Sequence, residues 1–384
     1  MHRQSRRAHR IAWTLCTMSV IAPLLALIVP GVALAHPVTG APGCALFPSD
    51  NPWNQRIDDL PVAAGSSRML RAMELTSLHA DFSDSDADGY GIPYNVVDAA
   101  TPTSTVQFDY ADESDSGPYP IPASPLIEPA SDRHILMLQR DSCTLYELYA
   151  AEFAGGQWTA GSGAIWNLGS NALRPAGWTS ADAAGLPILP GLVRHEDLEA
   201  GGIDHAMRIT LPVTQRAYLW PARHHASDNR SPAEAPMGLR IRIRSTFPIA
   251  TYSPQTQAVL RAGQQYGFIV ADNGSAGYIT GAPDPGWDDD DLHELQSIPA
   301  TACEVVDVAS LPGTPTRRRA WNSKISVGQT VVRGHLFQSR AGNVRLVAIR
   351  NHRVVRSRKI FARQGYVRVS IRRAKRASYR ITLV

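Results

Sequence analysis

The chain has 384 residues, of which 38 are basic and 34 acidic, so its formal net charge at pH 7 is only +4. This small net charge includes two parts of the chain that carry opposite charges. Residues 313–384 hold 19 basic and no acidic residues, whereas residues 36–312 hold 15 basic and all 34 acidic ones. This distribution predicts an acidic working domain joined to a basic module that contacts an anionic partner. No GxSxG, HExxH, P-loop or dinucleotide motif is present, which excludes α/β-hydrolases, HExxH zinc proteases, NTPases and NAD enzymes.

The amino terminus has the pattern of an export signal. Four arginines precede an apolar run at residues 11–34, and Ala33-Leu34-Ala35 has the small-x-small form of a cleavage site. We therefore predict that residues 1–35 are a signal peptide for the general secretory route. The mature protein is expected to be secreted, extracellular or cell-wall associated, with no membrane span. A retained anchor is the alternative, but Pro23 and Pro30 interrupt the run.

Removal of the signal peptide leaves three cysteines, Cys44, Cys143 and Cys303. In an oxidising compartment the simplest expectation is one disulfide and one free thiol. We predict that Cys44 pairs with Cys303, which would join the two ends of the acidic domain. Cys143 lies between two strand-like runs and is expected to stay buried and reduced.

Residues 36–312 show short apolar runs separated by Gly, Pro, Asp and Asn, which predicts a mainly β domain, a large β-sandwich or jelly-roll-like fold with few helices. Residues 239–244 alternate apolar side chains with arginines, which predicts one buried and one charged face. One helix is expected at residues 254–266, capped by Ser253, and a second near Asp288. The predicted strands are residues 106–110, 134–138, 144–150, 205–211, 217–220, 239–244, 268–271 and 278–280.

A Pro- and Gly-containing hinge at residues 310–316 precedes the basic module. Strands are predicted at residues 344–350, 353–362, 366–372 and 379–384. Val367, Val369 and Ile371 would face inward while the arginines between and after them face outward. This pattern favours a small C-terminal Ig-like β-sandwich over a disordered basic tail. We expect residues 313–384 to attach the protein to an anionic cell-wall polymer, with extracellular nucleic acid as the less favoured partner.

The acidic loop Asp84, Asp86, Asp88 and Gly89 resembles the opening of a calcium-binding loop. Its twelfth position is Asn95 rather than the bidentate glutamate of such loops. A structural Ca²⁺ ion is therefore one interpretation and a solvated acidic loop is the other. The proposed chemistry requires no other cofactor.

Several carboxylates and histidines are candidates for acid–base catalysis. Asp109 opens a cluster of acidic residues that ends at Asp115, and Glu147 lies inside an apolar run where its charge needs a partner. Histidines at strand ends are candidate proton carriers. The alternative is surface charge for the carboxylates and a structural role for each histidine, while Asp182 fits a helix-capping box. The candidate catalytic residues are Glu147, Asp109, Asp204, His205 and His224.

A second group of residues is suited to binding sugars. Indole rings pack on the C–H faces of sugars, and amides and guanidinium groups bond their hydroxyls. Tryptophan is equally an ordinary core residue of β-sandwiches. Asp272 and Asn273 follow a buried strand, at a place that suits either a binding residue or a tight turn. The candidate substrate-binding residues are Trp158, Trp166, Trp178, Arg174, Asp272 and Asn273.

Three blocks resemble a secreted family of high-GC soil bacteria. They are FPSDNPWN at residues 47–54, LRPAGWTSADAAGLP at 173–187, and ADNG followed by GAPDP between residues 271 and 285. The resemblance covers residues 45–307 and implies export and a single long domain. It implies no particular reaction and assigns no catalytic residue. The acidic loop at residues 84–88 and the basic tail from Arg317 are local additions to that pattern.

These features predict a secreted polysaccharide-active protein, a cofactor-free glycoside hydrolase or polysaccharide lyase if it is an enzyme. The alternative is a non-catalytic carbohydrate-binding or cell-wall-associated structural protein. Such a protein would keep the aromatic surface without needing a coupled acid and base.

Overall fold

A computed structural model describes residues 36–85 and 89–384. The predicted signal peptide, Asp86 and Asp88 lie outside these residues. Within them the protein is mainly β, as predicted, and its few helices are short. The helices are α1 (Ser66–Ala72), α2 (His195–Glu199), α3 (Pro254–Gln265) and α4 (Asp289–His293).

The acidic part of the chain contains short strands, most of them three to six residues long. Breakers follow each of them closely, which is why the strands stay short. In chain order they are β1 (His79–Asp81), β2 (Tyr94–Val97), β3 (Val106–Phe108), β4 (Ile135–Gln139), β5 (Thr144–Tyr149), β6 (Glu152–Ala154), β7 (Gln157–Ala160), β8 (Ser162–Asn167), β9 (Met207–Leu211), β10 (Thr214–Tyr218), β11 (Ala235–Met237), β12 (Arg240–Ile243), β13 (Phe268–Asn273), β14 (Tyr278–Thr280) and β15 (Cys303–Val305).

The largest sheet has the strand order β1-β14-β9-β13-β12-β15 and mixes parallel with antiparallel pairs. Strands β9 and β13 run parallel through its centre, with Phe268 opposite Met207. Every residue of β9 is buried, as expected for a central strand covered on both faces. A second sheet has the order β2-β4-β5-β8, and smaller sheets pair β3-β7-β6 and β10-β11.

Strand β12 corrects the prediction of a solvated charged face at residues 239–244. All four of its residues are buried. The Arg240 guanidinium donates to backbone carbonyls, including that of Tyr266 at 2.8 Å, while Arg242 forms an ion pair with Glu304 at 2.7 Å. The alternation is real, but both faces of the strand are covered, so the arginines are held by internal acceptors.

The predicted helices are confirmed. Helix α3 begins at Pro254 after Ser253, whose hydroxyl accepts a hydrogen bond from the Thr256 amide. Helix α4 begins after Asp288, whose carboxylate accepts from two backbone amides. The capping interpretation of Asp182 is wrong, since no helix begins there and its carboxylate binds Arg208 instead.

The disulfide joins Cys44 to Cys143, with a Cα–Cα distance of 5.2 Å. The predicted Cys44–Cys303 pair is therefore wrong. Cys143 lies in the turn between β4 and β5, which brings it against the amino-terminal segment. Cys303 is a buried free thiol in β15, and burial raises its pKa to about 12, so it stays protonated and unreactive.

The basic module forms two three-stranded antiparallel sheets, of order β16-β17-β20 and β19-β18-β21, around a core that includes Val367 and Val369. Arg368 and Arg372 are exposed, as the alternation predicts. Two of its strands, β16 and β17, were not predicted. The strands are β16 (Ala320–Val327), β17 (Val331–Gln338), β18 (Gly342–Arg350), β19 (Arg353–Ala362), β20 (Gly365–Arg372) and β21 (Ser378–Leu383).

Apolar contacts and hydrogen bonds join the basic module to the acidic part. Phe337 and Tyr366 belong to the main hydrophobic cluster, and the Gln364 amide donates to Asp307 at 3.2 Å. Within the described residues no arginine or lysine of residues 313–384 forms an ion pair with a carboxylate. The cations of the module are thus not neutralised by the acidic part.

In the part of the chain that the structure describes, no helix is both long and apolar enough to cross a membrane.

Candidate functional site

A cleft of about 420 Å³ lies over the carboxyl end of β13. Carboxylates, hydroxyls and one imidazole line it, a mixture that suits a polar ligand. The cleft is defined by Tyr110, Glu113, Asp132, Tyr149, Ser162, Thr179, Ser180, Ala181, Ala183, His224, Ala226, Asp272 and Asn273.

Asp272 is held by a buried arginine that it shares with a second carboxylate. Arg208 bonds Asp182 through two nitrogens, at 2.9 and 3.0 Å. A third bond, of 3.0 Å, runs from Arg208 Nη2 to Asp272 Oδ2. The Asp182 side chain is fully buried, whereas that of Asp272 is 19% exposed. One guanidinium therefore faces two carboxylates, and the one at the cleft is the one that solvent can protonate.

This arrangement raises the pKa of Asp272. Burial raises its pKa to about 7, the charge of Asp182 adds to the rise, and Arg208 opposes it. Because Asp182 already takes two of the bonds of Arg208, the remaining attraction does not offset desolvation. A carboxyl group that exchanges its proton near neutral pH is suited to general acid–base catalysis.

A buried imidazole supports the neighbouring wall of the cleft. His134 Nδ1 lies 2.5 Å from Glu128 Oε2, and its Nε2 lies 3.0 Å from the Ala181 carbonyl oxygen. Burial disfavours the charged ring, but the hydrogen bond and charge of Glu128 outweigh it and raise the pKa of His134. Both partners are acceptors, so the imidazolium form satisfies both nitrogens. It fixes Ala181 at the cleft wall.

The segment at residues 183–184 connects Asp272 to His224. The Ala184 amide donates to the Ala271 carbonyl, next to Asp272, at 2.9 Å, and the Ala184 carbonyl accepts from the His224 amide at 3.1 Å. His224 Nδ1 donates to the Ala183 carbonyl at 2.9 Å. That bond leaves Nε2 as the nitrogen able to accept a proton. An acid and a base thus line one cleft on a single hydrogen-bonded frame.

Two tyrosines supply the aromatic surface of the cleft. Tyr149 ends β5, and burial raises its pKa, with the charges of Asp132 and Asp272 adding to the effect. Tyr110 is 55% exposed. Their hydroxyls can bond sugar hydroxyls while their rings pack on sugar C–H faces.

Glu147, a predicted catalytic residue, lies in the core and not at the cleft. Its Oε1 accepts from the amides of Ile188 and Leu189 at 2.8 and 3.0 Å, and its Oε2 accepts from the Trp166 indole at 3.1 Å. Burial raises its pKa to about 7. The predicted partner for this charge therefore exists, but it is the polypeptide itself and not a substrate.

The other predicted proton carriers are also placed apart from the cleft. His205 is buried, with Nε2 3.3 Å from Asp197 Oδ2 and Nδ1 2.9 Å from the Ala206 carbonyl. Asp204 faces His36 at 3.4 Å. Asp109 is exposed and does not line the cleft. Of the predicted catalytic residues, the structure places His224 in the cleft.

The side chain of Arg174 contacts the rings of Trp166 and Trp178 and neighbouring loops of the protein. Arg174 is buried and bonds Asp115 and the carbonyls of Glu113 and Thr179, joining two cleft loops. Its guanidinium lies 5.7 Å from the Trp166 ring and 5.4 Å from the Trp178 ring. Trp166 is buried. Neither the arginine nor the two indoles line the cleft, and their role in binding substrate stays a prediction.

The last predicted tryptophan, Trp158, packs against Phe153 at 5.1 Å and is also absent from the cleft lining.

Asn273 lies at the cleft, where its Oδ1 accepts from the Thr214 hydroxyl at 2.8 Å. Among the predicted calcium ligands, Asp84 is described, and its amide donates to Asp289 at 3.1 Å. Asp86 and Asp88 lie outside the described residues. Within those residues no group of three or more His, Cys, Asp or Glu side chains could hold a metal ion.

Glu113, Asp132, Tyr110 and Tyr149 were not predicted as site residues. A signal for Glu113 existed in the acidic cluster that begins at Asp109. Of the carboxylates in this cluster, Glu113 lines the cleft and Asp109 does not. Glu113 ends the 3₁₀ turn Ala111–Glu113, which lies at the cleft wall.

Comparison of the chain with protein-family models, with curated proteins and with solved structures found no match.

Proposed function

We propose that the protein binds an extracellular polysaccharide in the cleft and cleaves it without a cofactor. The observation that carries this proposal is the meeting of Asp272 and His224 in one cleft together with two tyrosines. Acid, base and aromatic faces are the groups that cleavage of a glycosidic bond needs.

The residues divide into distinct roles. Asp272, protonated near neutral pH, donates a proton to the leaving glycosidic oxygen. His224 Nε2 accepts a proton, either from water in hydrolysis or from a sugar carbon in β-elimination. Glu113 and Asp132 bond sugar hydroxyls, and Tyr149 packs against a ring. Arg208 positions Asp272 without contacting the sugar.

Release of reducing ends from a panel of plant and microbial glycans tests the proposal. Asp272→Asn keeps the size and an acceptor for Arg208 but loses the proton, so release should fall by about 100-fold or more while binding persists. Asp204→Asn is the matched control, since Asp204 lies away from the cleft, and it should retain activity. Unsaturated products would indicate elimination, and saturated products would indicate hydrolysis.

A non-catalytic carbohydrate-binding protein is the competing proposal. It predicts glycan binding that Tyr149→Ala weakens, with no release by the wild type at any pH. The Asp182–Arg208–Asp272 group favours the enzyme, because Asp272 combines a pKa of about 7 with a position in the cleft lining, whereas Glu147, with a similar pKa, is enclosed in the core.

We also propose that residues 313–384 hold the protein on an anionic cell-wall polymer. Lys324, His335 and Arg368 form one cross-strand row on the β16-β17-β20 sheet, and Arg333 lies on the same face. Burial and these cations, with Arg368 the foremost, lower the pKa of His335. Within the described residues none of these cations has a carboxylate partner. An uncompensated row of this kind favours a polyanion.

A further inference from the structure

A second concave site lies where the acidic part meets the basic module, and it goes beyond the proposed cleft. We call it the seam groove. It encloses about 290 Å³, and its lining contains three guanidinium groups and no carboxylate. The seam groove is lined by Arg216, Ala217, Tyr218, His225, Arg230, Arg319, Trp321 and Asn322.

The groove depends on a local irregularity of β16. The register between β16 and β17 shifts between Trp321 and Lys324, and Asn322 adopts a left-handed conformation with φ of 53°. Asn322 Nδ2 then donates to Oε1 of the buried Gln215 at 2.6 Å. Bulges of this kind redirect side chains and are frequent beside binding sites. Here the bulge begins beside Trp321 and contains Asn322, and both residues line the groove.

The cations of the groove remain available. Arg230 and Arg319 are exposed, and within the described residues neither side chain has a hydrogen-bond acceptor or a carboxylate partner. Arg216 faces only Asp228, at 3.5 Å, and that carboxylate is 93% exposed. A pair so open to water contributes little, so an anionic ligand can displace it. Tyr218 and Trp321 add aromatic rings to the lining.

The groove adjoins the cleft through a pair of histidines. His224 lines the cleft, His225 lines the groove, and their ring centroids are 5.3 Å apart. The two sites differ in charge, since the cleft carries the carboxylates of Glu113 and Asp132 and the groove carries three arginines. One ligand that crosses both must therefore be uncharged over the cleft and negatively charged over the groove.

From this geometry we infer that the protein binds a glycan in which sugars bearing a carboxylate or phosphate alternate with neutral sugars. The neutral sugars occupy the cleft, which selects hydrolysis from the two proposed reactions because β-elimination needs a uronate beside the base. The anionic group sits among Arg216, Arg230 and Arg319 while its ring packs on Trp321. The inference rests on the proposed function for the cleft but assigns the substrate class from the groove. A uniformly charged polyuronate fits less well, because it would place carboxylates against those of Glu113 and Asp132.

Calorimetric titration of the full mature chain tests the inference. The ligands are an oligosaccharide that alternates uronate and neutral sugars, its carboxyl-reduced form, a phosphate-bearing analogue and a uniform oligouronate. The wild type should bind the alternating charged ligands most tightly. Arg230→Ala and Arg319→Ala should each lower that affinity by about tenfold, as expected for one lost charge-assisted contact. Neither should change affinity for the carboxyl-reduced form. The relative affinities of the uronate and phosphate ligands identify the anion.

Arg261→Ala is the matched control, because Arg261 is an exposed arginine on α3, and it should change no affinity. Equal affinity for the charged and carboxyl-reduced ligands would overturn the inference, as would tighter binding of the uniform oligouronate. The cleft is tested separately by Asp272→Asn, which should abolish release but keep the charge-dependent binding. If no glycan is cleaved while Arg230 and Arg319 still govern binding, the proposed reaction fails and the groove assignment stands.

Discussion

The arginines of the acidic part and those of the basic module do different things. In the acidic part Arg174, Arg194, Arg208 and Arg242 are buried, and each binds a carboxylate. In residues 313–384 the cations lie mostly at the surface, and none that the structure describes has a carboxylate partner. A buried guanidinium needs a carboxylate or, as for Arg240, several backbone carbonyls to accept its hydrogen bonds, whereas an exposed one is solvated by water. The same side chain thus stabilises the fold in one region and lies at the surface without a carboxylate partner in the other.

The largest expected effect comes from breaking a buried pair. Asp182→Ala removes the main partner of Arg208 and leaves its charge in the core, so the free energy of unfolding should fall by about 3–5 kcal/mol. Urea denaturation followed by circular dichroism measures it. A loss below about 1 kcal/mol would mean that Arg208 behaves like a surface cation, which would remove the contrast between the two regions.

Removal of the disulfide should have the next largest effect on the free energy of unfolding. Cys44–Cys143 spans 99 residues of the acidic part, and Cys143→Ala should lower the free energy of unfolding by about 2–4 kcal/mol. Denaturation with and without reductant measures this difference. Cys303→Ala is the control, since that thiol is unpaired, and reductant should still destabilise this variant. Insensitivity of the wild type to reductant would contradict the assigned pairing.

Glu147 provides a pH test of the core. Because its pKa in the folded protein is raised from 4.5 to about 7, the folded state holds the proton longer than the unfolded state does. Its stabilising contribution is full below pH 4.5 and is lost as the pH rises towards 7. Glu147→Gln cannot titrate. While its amide oxygen accepts from Ile188 and Leu189, its NH2 group cannot accept from the Trp166 indole. The free energy of unfolding of the wild type should exceed that of the variant at pH 4, and this difference should shrink by about 2–3 kcal/mol between pH 4 and pH 8.

Denaturation at a series of pH values checks this expectation. If the difference in free energy of unfolding between the two proteins does not change with pH, Glu147 stays ionised in the core. Loss of glycan release in a folded Glu147→Gln protein would restore the catalytic role that the sequence suggested.

The sequence predicted the fold better than it predicted the site. Residues 353–362 and 278–280 were bounded correctly because turn residues flank both strands, Asn351-His352 before the first and glycines on both sides of the second. Strands β16 and β17 were missed, since Asn322 and Gly334 interrupt their alternation. Glu147 was correctly seen to need a partner, but composition cannot distinguish a backbone amide from a substrate. Tyr149 and Asp272 meet only through the packing of separate sheets, which local patterns do not contain.

The smallest effect on stability is expected for the exposed cations of the basic module. It should contrast most sharply with the large effect expected for Asp182→Ala. Arg333→Ala with Arg368→Ala should change the free energy of unfolding by no more than about 0.5 kcal/mol. The same pair should weaken binding to poly(glycerol phosphate) and lower the slope of log Kd against log salt by about 0.7 for each cation removed. Arg261→Ala should leave the slope unchanged, and an equal slope in all variants would contradict a local surface.

The protonation of Asp272 is the most direct test of the central claim, that a buried ion network prepares an acid at the base of a glycan cleft. Carbon-13 NMR of the aspartate carboxyl groups, with Asp272→Asn to assign the signal, measures it with and without a bound oligosaccharide. We predict a midpoint at about pH 7 that shifts when the ligand binds. A midpoint near pH 4, the ordinary range for aspartate, with no response to any glycan would contradict the account.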